Sequence, residues 1–289
     1  MSSNKITDFE PGERLDKTLA SLYPEYSRSA LEKLIESGQI TVNGKPVKTK
    51  YTLRPSDEIT ADFNELTKEV DTIELLILYE DDNVVVINKP IGILAHSKGT
   101  FNKEGTVATW LQQHYGSTES FWDSNRAGIV HRLDRGTSGV MICAKNEATV
   151  SHLGKQFSER KVKKNYKAVI SGELSIPEGS IDIPIERNPK KPATFRAGVN
   201  GKSAQTEFAT LQTNGKYSLI ELRPKTGRTH QLRVHLHYLK HPIVGDEFYD
   251  GEKADRLMLH AAKLEITLPS SKRVTFEAPV PKEFNDLTS

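Results

Sequence analysis

Cysteine occurs once in the 289 residues, as Cys143 within the apolar run "VMICA". That excludes a disulfide framework, and the lone thiol reads as a buried structural group. Nowhere does an apolar stretch approach the roughly 18 residues of a membrane-spanning helix, so no membrane partner is expected. The first thirty residues carry Asp8, Glu10, Glu13 and Asp16 and lack an apolar core segment. No secretory signal is therefore expected, and the chain is expected in the cytoplasm. Metal-ligand spacing is missing as well. In "THQLRVHLHYLKHP" only His237 and His241 stand four apart, Pro242 interrupts there, and His230 and His235 fall out of step. No His-Glu-x-x-His occurs, so a metal hydrolase is disfavoured and no metal is expected. Internal repeats and low-complexity tracts are absent.

What remains is an ordinary globular composition, 36% hydrophobic and 27% charged, with room for one large domain and a small one. The formal net charge of +2 conceals an uneven distribution. Residues 151–240 hold 17 Lys and Arg against 7 Asp and Glu, whereas residues 55–82 hold 10 acids against the single Lys68. Short charge runs are usually solvated faces. A basic excess sustained over so long a segment points instead to a surface that faces a polyanion, nucleic acid above all.

The N-terminal part reads as a small module. "ERLDKTLASLY" spaces Leu15, Leu19 and Leu22 as a helix does. "SRSALEKLIESG" places Ser29 three residues before Glu32, a capping-box pattern, and Gly38 supplies a stop. In "QITVNGKPVKT" Ile40 and Val42 alternate ahead of Asn43-Gly44, the strongest short hairpin signal. The hairpin arm carries Lys45, Lys48, Lys50 and Arg54 and no acid between residues 37 and 56. With "LRPSDEI", these segments resemble the RNA-binding domain named after ribosomal small-subunit protein S-four. The resemblance implies docking of structured RNA on the second helix and the hairpin, through Arg28, Lys33, Lys45 and Lys48.

Residues 63–74 are polar and acidic and read as a linker. "LLILYEDDNVVVINKPIG" then gives two apolar strands about a turn at 80–83, ended by Pro90. "TVATWLQQHY" reads as a helix and "GSTESFWDSNRAG" as a loop. "GIVHRLDRGTSGVMICAKN", residues 128–146, reads as two short buried strands, "GIV" and "VMICA", joined by a loop that sets Asp134 between Arg132 and Arg135. A lone acid among arginines between buried strands invites a functional reading, because loops on a rigid scaffold aim reactive groups and a buried unpaired charge is costly.

That segment closely resembles the signature of the RluA-type pseudouridine synthases, whose catalytic aspartate follows His-Arg-Leu. "NVVVINKPIG", "RKVKKNYKAVISG", "KTGRTHQLRVHLHYLKHPIVGDEFYD", "LMLHAAKLEITLP" and "FEAPVP" match further elements of the family in order. Ala127 stands where a proline is common, and "AHSKG" where His-Pro is frequent; both bear on target choice rather than chemistry. The resemblance assigns Asp134 as the catalytic aspartate, Tyr166 as the tyrosine that stacks on the target base and Arg233 as the arginine that pairs with the aspartate. Arg132 would fill the space left by a flipped nucleotide. His131, Thr137, Lys163 and Lys164 are assigned with it to RNA binding.

The implied chemistry suits such residues. Converting uridine to pseudouridine breaks N1–C1′ and rejoins the base through C5, with no redox change, so no cofactor is expected. A carboxylate near C1′ is required, as nucleophile or as base. Burial of a carboxylate favours its protonated form, and a guanidinium opposes this by roughly 4 kcal/mol at about 4 Å and an effective dielectric near 20. Arg233 is therefore expected to keep Asp134 charged. Tyr166 offers a flat face for an extruded uracil, worth about 1–3 kcal/mol. Phosphate contacts from "ERKVKKNYK" would position the RNA without reading it.

The expected architecture is α+β: an RNA-binding domain over residues 1–62, a linker over 63–74, and a catalytic domain over 75–289 on a bent, largely antiparallel sheet. The expected substrate is ribosomal RNA of the large subunit, with transfer RNA second, and a monomer is the default. The alternative is a non-catalytic RNA-binding or ribosome-assembly protein. The joint presence of Asp134, Tyr166 and Arg233 favours the enzyme.

Overall fold

In the computed structural model, residues 4–67, 70–97, 103–116, 126 and 128–289 are described. Ala127, the expected loop over 117–125 and the end of "AHSKG" lie outside them. The described residues form two units, one running up to Asp71 and taking in Ser97, Lys103 and Glu104, the other comprising the remainder.

The first unit contains β1 (Asn4–Ile6), α1 (Leu15–Leu22), α2 (Arg28–Glu36), β2 (Ile40–Val42), β3 (Lys45–Pro46), β4 (Ile59–Ala61) and α3 (Asn64–Thr67). Its sheet runs β1-β4-β2-β3. Asn43 (φ 52°) and Gly44 (φ 69°) make the tight β2–β3 turn in the left-handed conformation that an Asn-Gly hairpin requires. Leu15 and Leu19 are fully buried, whereas Leu22, expected on the same face, is exposed at the helix end. The cap of α2 also differs from expectation. Ser27, not Ser29, receives the Ala30 N–H, and Glu32 reaches Arg28 one turn back at 3.4 Å. Starting the helix two residues earlier brings Arg28 onto the buried Asp16, which Arg14 also holds. The stretch expected to open the linker folds instead as α3, with Phe63 and Leu66 buried in the core of this unit. Part of the acidic run is structural too: Asp57 accepts from Arg54 N–H, Asn43 Nδ2 and the Tyr51 hydroxyl.

The second unit contains β5 (Leu76–Glu80), β6 (Val84–Lys89), α4 (Val107–Tyr115), β7 (Ser138–Ala144), α5 (Glu147–Ser158), β8 (Lys163–Ser171), β9 (Glu178–Asp182), β10 (Ile185–Arg187), β11 (Phe195–Ala197), β12 (Gln205–Thr213), β13 (Tyr217–Pro224), α6 (Gln231–Tyr238), β14 (Leu259–Thr267), β15 (Arg273–Glu277) and α7 (Glu283–Thr288). Nine strands join in the order β5-β6-β7-β14-β8-β13-β12-β9, with β15 on β14, and every pairing but β7–β14 is antiparallel. The fold is thus α+β on a largely antiparallel sheet.

The parallel seam between β7 and β14 positions the site. Gly139 has φ 118°, and a Cβ there would lie 2.2 Å from the Ala261 carbonyl oxygen, so only glycine lets the strands close. Two apolar cores meet beside this seam, and Tyr166 packs against both. Cys143 is buried in β7. "GIV" does not form the expected strand; Ile129 makes a single bridge to Cys143. Beyond that bridge, His131 stands in for a strand partner: its Nε2 accepts the Ile142 N–H at 3.1 Å.

Candidate active site

Asp134 sits in the loop that enters β7. Leu133 is buried in the core beside it, and the Thr137 N–H donates to the Asp134 carbonyl at 3.0 Å to close the turn. A second anchor comes from the Lys-Pro-Ile-Gly element, where the Gly92 N–H donates to the Arg135 carbonyl at 2.8 Å. Lys89, fully buried, holds that element by donating to the carbonyls of Pro90 and Ile93. Burial pushes its ammonium down to about 7, with Asp134 pulling the other way.

Arg233, on α6, reaches Asp134 from the other side. Its Nη1 lies 3.5 Å from Asp134 Oδ2. Its closer partner is Asp246, which takes Nε and Nη2 in a bidentate pair at 2.7 Å each. The Phe248 and Tyr249 rings lie 5.3 and 5.1 Å from the guanidinium carbon. The planar fork is therefore fixed along one edge and over its faces, leaving one amino group for Asp134. Burial pulls the guanidinium down, but Asp246 and then Asp134 outweigh it and hold it above its ordinary value.

His230 precedes α6 in the left-handed conformation, φ 56°, which turns its ring back toward the loop. Its Nε2 lies 3.9 Å from Asp134 Oδ2, and its Nδ1 lies 2.8 Å from the Tyr249 hydroxyl. That hydroxyl also accepts the Phe195 N–H, so it ties the His230 ring to the strand that carries Phe195. Burial lowers the His230 pKa, which favours the neutral imidazole, while Asp134 opposes the shift.

One cleft gathers Asp134, Tyr166, Arg233, Arg132, Thr137 and Lys164, and among the described residues Asp134 is the only carboxylate lining it. Tyr166 lies in β8 between Ala261 and Leu222 of the flanking strands. Burial, then Asp134, push its phenol up, so it stays protonated. The lip, residues 226–229, is tied down by Gln231: its Oε1 accepts from the Thr226 hydroxyl and the Arg228 N–H, and its Nε2 donates to Gln205 O and Thr206 Oγ1.

Other expected residues fall elsewhere. Lys163 pairs with Glu265 at 3.1 Å, since alternate residues of a strand face opposite sides. His131 lines a neighbouring cavity, where burial and then Lys164 push it far below its ordinary value, so it is neutral with its hydrogen on Nδ1. Arg28, Lys33, Lys45 and Lys48 belong to the first unit; Arg28 is committed to Asp16, while Lys33, Lys45 and Lys48 are exposed. The four histidines weighed as metal ligands have separate partners: Tyr249 for His230, Thr206 and Ile183 for His235, the Tyr249 carbonyl for His237, and Ser171 for His241. Among the described residues there is no cluster of His, Cys, Asp and Glu able to hold a metal.

Sequence reasoning missed Asp246, His230 and Tyr249. A signal for the first was present: "VGDEF" sets an acid between an apolar residue and an aromatic one, an unusual place for a solvated carboxylate.

Residues 83–238 match the family described as RNA pseudouridylate synthase, and residues 13–59 match the S4 domain. Ribosomal large subunit pseudouridine synthase D of Borreliella burgdorferi is 40% identical over 285 residues, covering 94% of this chain and 87% of that protein. The protein of the same name from Vibrio parahaemolyticus is 34% identical, covering 99% and 93%. The solved structure of human RNA Pseudouridylate Synthase Domain Containing 1 superposes with a TM-score of 0.60 at 28% identity, covering 74% of this chain and 86% of that one. No helix among the described residues is long and apolar enough to cross a membrane. With the family matched over more than half its length, and relatives aligned nearly end to end, the chain belongs to the RNA pseudouridylate synthases.

Proposed function

We propose that this synthase isomerises uridine in large-subunit ribosomal RNA, with residues 1–62 anchoring structured RNA and residues 75–289 carrying out the chemistry. The observation that carries the reading is Asp134, the one carboxylate among the described residues lining a cleft walled by Tyr166, Arg132 and Arg233. The reaction breaks N1–C1′, forms C1′–C5, removes a proton from C5 and places one on N1, so atoms and electrons balance without a cofactor. Asp134 acts at the sugar, where both nucleophilic attack and proton abstraction need its ionised form. Arg233 beside it favours that form. The Tyr166 ring stacks on the extruded uracil, and Arg132 takes its place in the RNA. The exposed Lys45 and Lys48 of the hairpin meet phosphates, as does Lys33 on α2. The names of the relatives that align nearly end to end support the ribosomal substrate.

The test is incubation of the full chain with separately transcribed large-subunit, small-subunit and transfer RNA, followed by carbodiimide-dependent reverse-transcription stops. New stops in large-subunit RNA are expected. Stops in transfer RNA alone would overturn the substrate, and no stops anywhere would overturn the activity.

A further inference from the structure

A second cavity adjoins the catalytic cleft, and the chemistry described above leaves it unused. It is open to solvent and, at about 1020 Å³ against about 620 Å³, larger than the cleft. Tyr166, Arg132 and Lys164 line both, as do Thr226, Gly227 and Arg228 of the lip, and together they form the wall between them. Its apolar side comes from Val130, Phe157 and Val162, with the His131 and Phe157 rings stacked at 4.5 Å and 18°. Among the described residues no carboxylate lines it.

Its cations differ from their neighbours. On the adjoining sheet surface Lys163 pairs with Glu265, Lys167 with Glu221, and Arg223 with both Glu221 and Glu207. Around the second cavity only Lys225 is neutralised in this way, by Glu207. Arg132 and Arg160 meet no carboxylate among the described residues, Lys164 donates to the Thr226 carbonyl, and the Arg228 Nε donates to the Ser203 carbonyl. Uncompensated positive charge lining a concave space suits a phosphate, which releases counterions on binding. Aromatic surface beside it suits a base, because every base has a face to stack. A small acidic metabolite would need the charge but not the aromatic pair, and an apolar ligand the reverse.

We propose that this cavity holds the nucleotide adjacent in the RNA to the target uridine, its base against Phe157 and its phosphates on Arg160 and Arg228. The site rests on the functional reading given above and extends it: the enzyme opens two consecutive nucleotides, one on each side of the Tyr166 wall. Arg132 and Lys164, present in both spaces, meet the phosphate that links them.

The experiment uses the full chain and a hairpin transcript around the mapped uridine. Two further hairpins carry an abasic residue at the 5′ or the 3′ neighbour. Affinity is read by fluorescence anisotropy in the Asp134→Asn background, and turnover with the native chain on the unaltered hairpin. One of the abasic hairpins is expected to bind about five- to a hundredfold more weakly, the loss of one stacked base. Adding Phe157→Leu should remove that discrimination, so that intact and abasic hairpins bind within about twofold of each other. Should Phe157→Leu disturb the fold, Arg160→Asn provides an independent reading, since asparagine tolerates the left-handed φ of 59° found there. Its plot of log affinity against log salt should be shallower by about 0.7, one phosphate contact on a single strand. Equal abasic penalties in both backgrounds, or an unaltered salt slope for Arg160→Asn, overturn the second site and leave the enzyme's function standing. Failure of the native chain to convert any uridine overturns both.

Discussion

Asparagine in place of Asp246 tests whether Arg233, proposed to act beside Asp134, is held from behind. Asp246 and Arg233 are 1% and 6% exposed and share two bonds of 2.7 Å. An opposite charge at about 4 Å is worth roughly 4 kcal/mol at an effective dielectric near 20, and stripping one partner from a buried pair costs about 3–5 kcal/mol. Asparagine keeps the volume but turns an amide donor toward a guanidinium donor, so at least one of the two bonds is lost. Arg233 Nη1, already 3.5 Å from Asp134, is then free to close on that carboxylate. The expected outcome is about 3 kcal/mol less stability in urea unfolding followed by circular dichroism. Single-turnover pseudouridine formation should fall about a hundredfold, since misplacing reacting groups by about 1 Å costs that much. An Arg233→Met/Asp246→Leu double variant removes both charges; it should regain most of the stability and none of the rate. A native rate and native unfolding midpoint in Asp246→Asn would refute the clamp.

Asp134→Asn should give no pseudouridine at any time point while RNA affinity stays within about threefold, since it removes a charge and little volume; residual turnover above about a thousandth of native would contradict its role. Tyr249→Phe deletes the hydroxyl that meets both His230 and the Phe195 N–H, and loss of the bond to His230, worth about 1 kcal/mol, predicts a roughly three- to tenfold drop in kcat with RNA affinity retained. Asp16, drawn by burial upward but by Arg14 and Arg28 further down, falls from its ordinary 3.8 to about 2. A pKa lower in the folded state contributes stability above the unfolded value and loses it as pH falls, so about 2–3 kcal/mol should vanish between pH 4 and pH 2, and Asp16→Asn should flatten that decline. Gly139→Ala, with its Cβ 2.2 Å from the Ala261 oxygen at φ 118°, should lose more than about 3 kcal/mol of stability; a native midpoint would mean the seam can open.

Local signals in the chain proved legible where their physics is local. Asn43-Gly44 makes its turn with backbone angles set by the two residues themselves. The apolar runs at 76–80 and 84–89 pair as an antiparallel hairpin, and "VATWLQQHY" forms α4. Errors arose where a neighbour decided. Ser29 and Glu32 satisfy a capping pattern, yet Ser27 caps, which brings Arg28 onto the buried Asp16. "GIV" has the composition of a strand, but only Gly128 and Ile129 reach the edge of β7, and beyond them the His131 ring takes the Ile142 N–H that a further strand residue would have taken. Residues 63–66 look like polar linker, yet Phe63 and Leu66 find a core to fill.

Legible in the order of residues alone were the family, the division of the chain into two parts, and the motifs that propose Asp134, Tyr166 and Arg233 for the site. Those follow from contiguous motifs, in which each residue's meaning depends on its immediate neighbours. How Arg233 is held, what anchors His230 and where the unpaired cations collect come instead from tertiary packing. Asp246 lies 13 residues from Arg233 and Tyr249 lies 54 from Phe195, separations at which chain order says nothing of distance. Whether a charge is buried, paired or left facing a cavity depends on the elements packed around it. The parallel seam of β7 and β14, made possible by one glycine, brings those elements together.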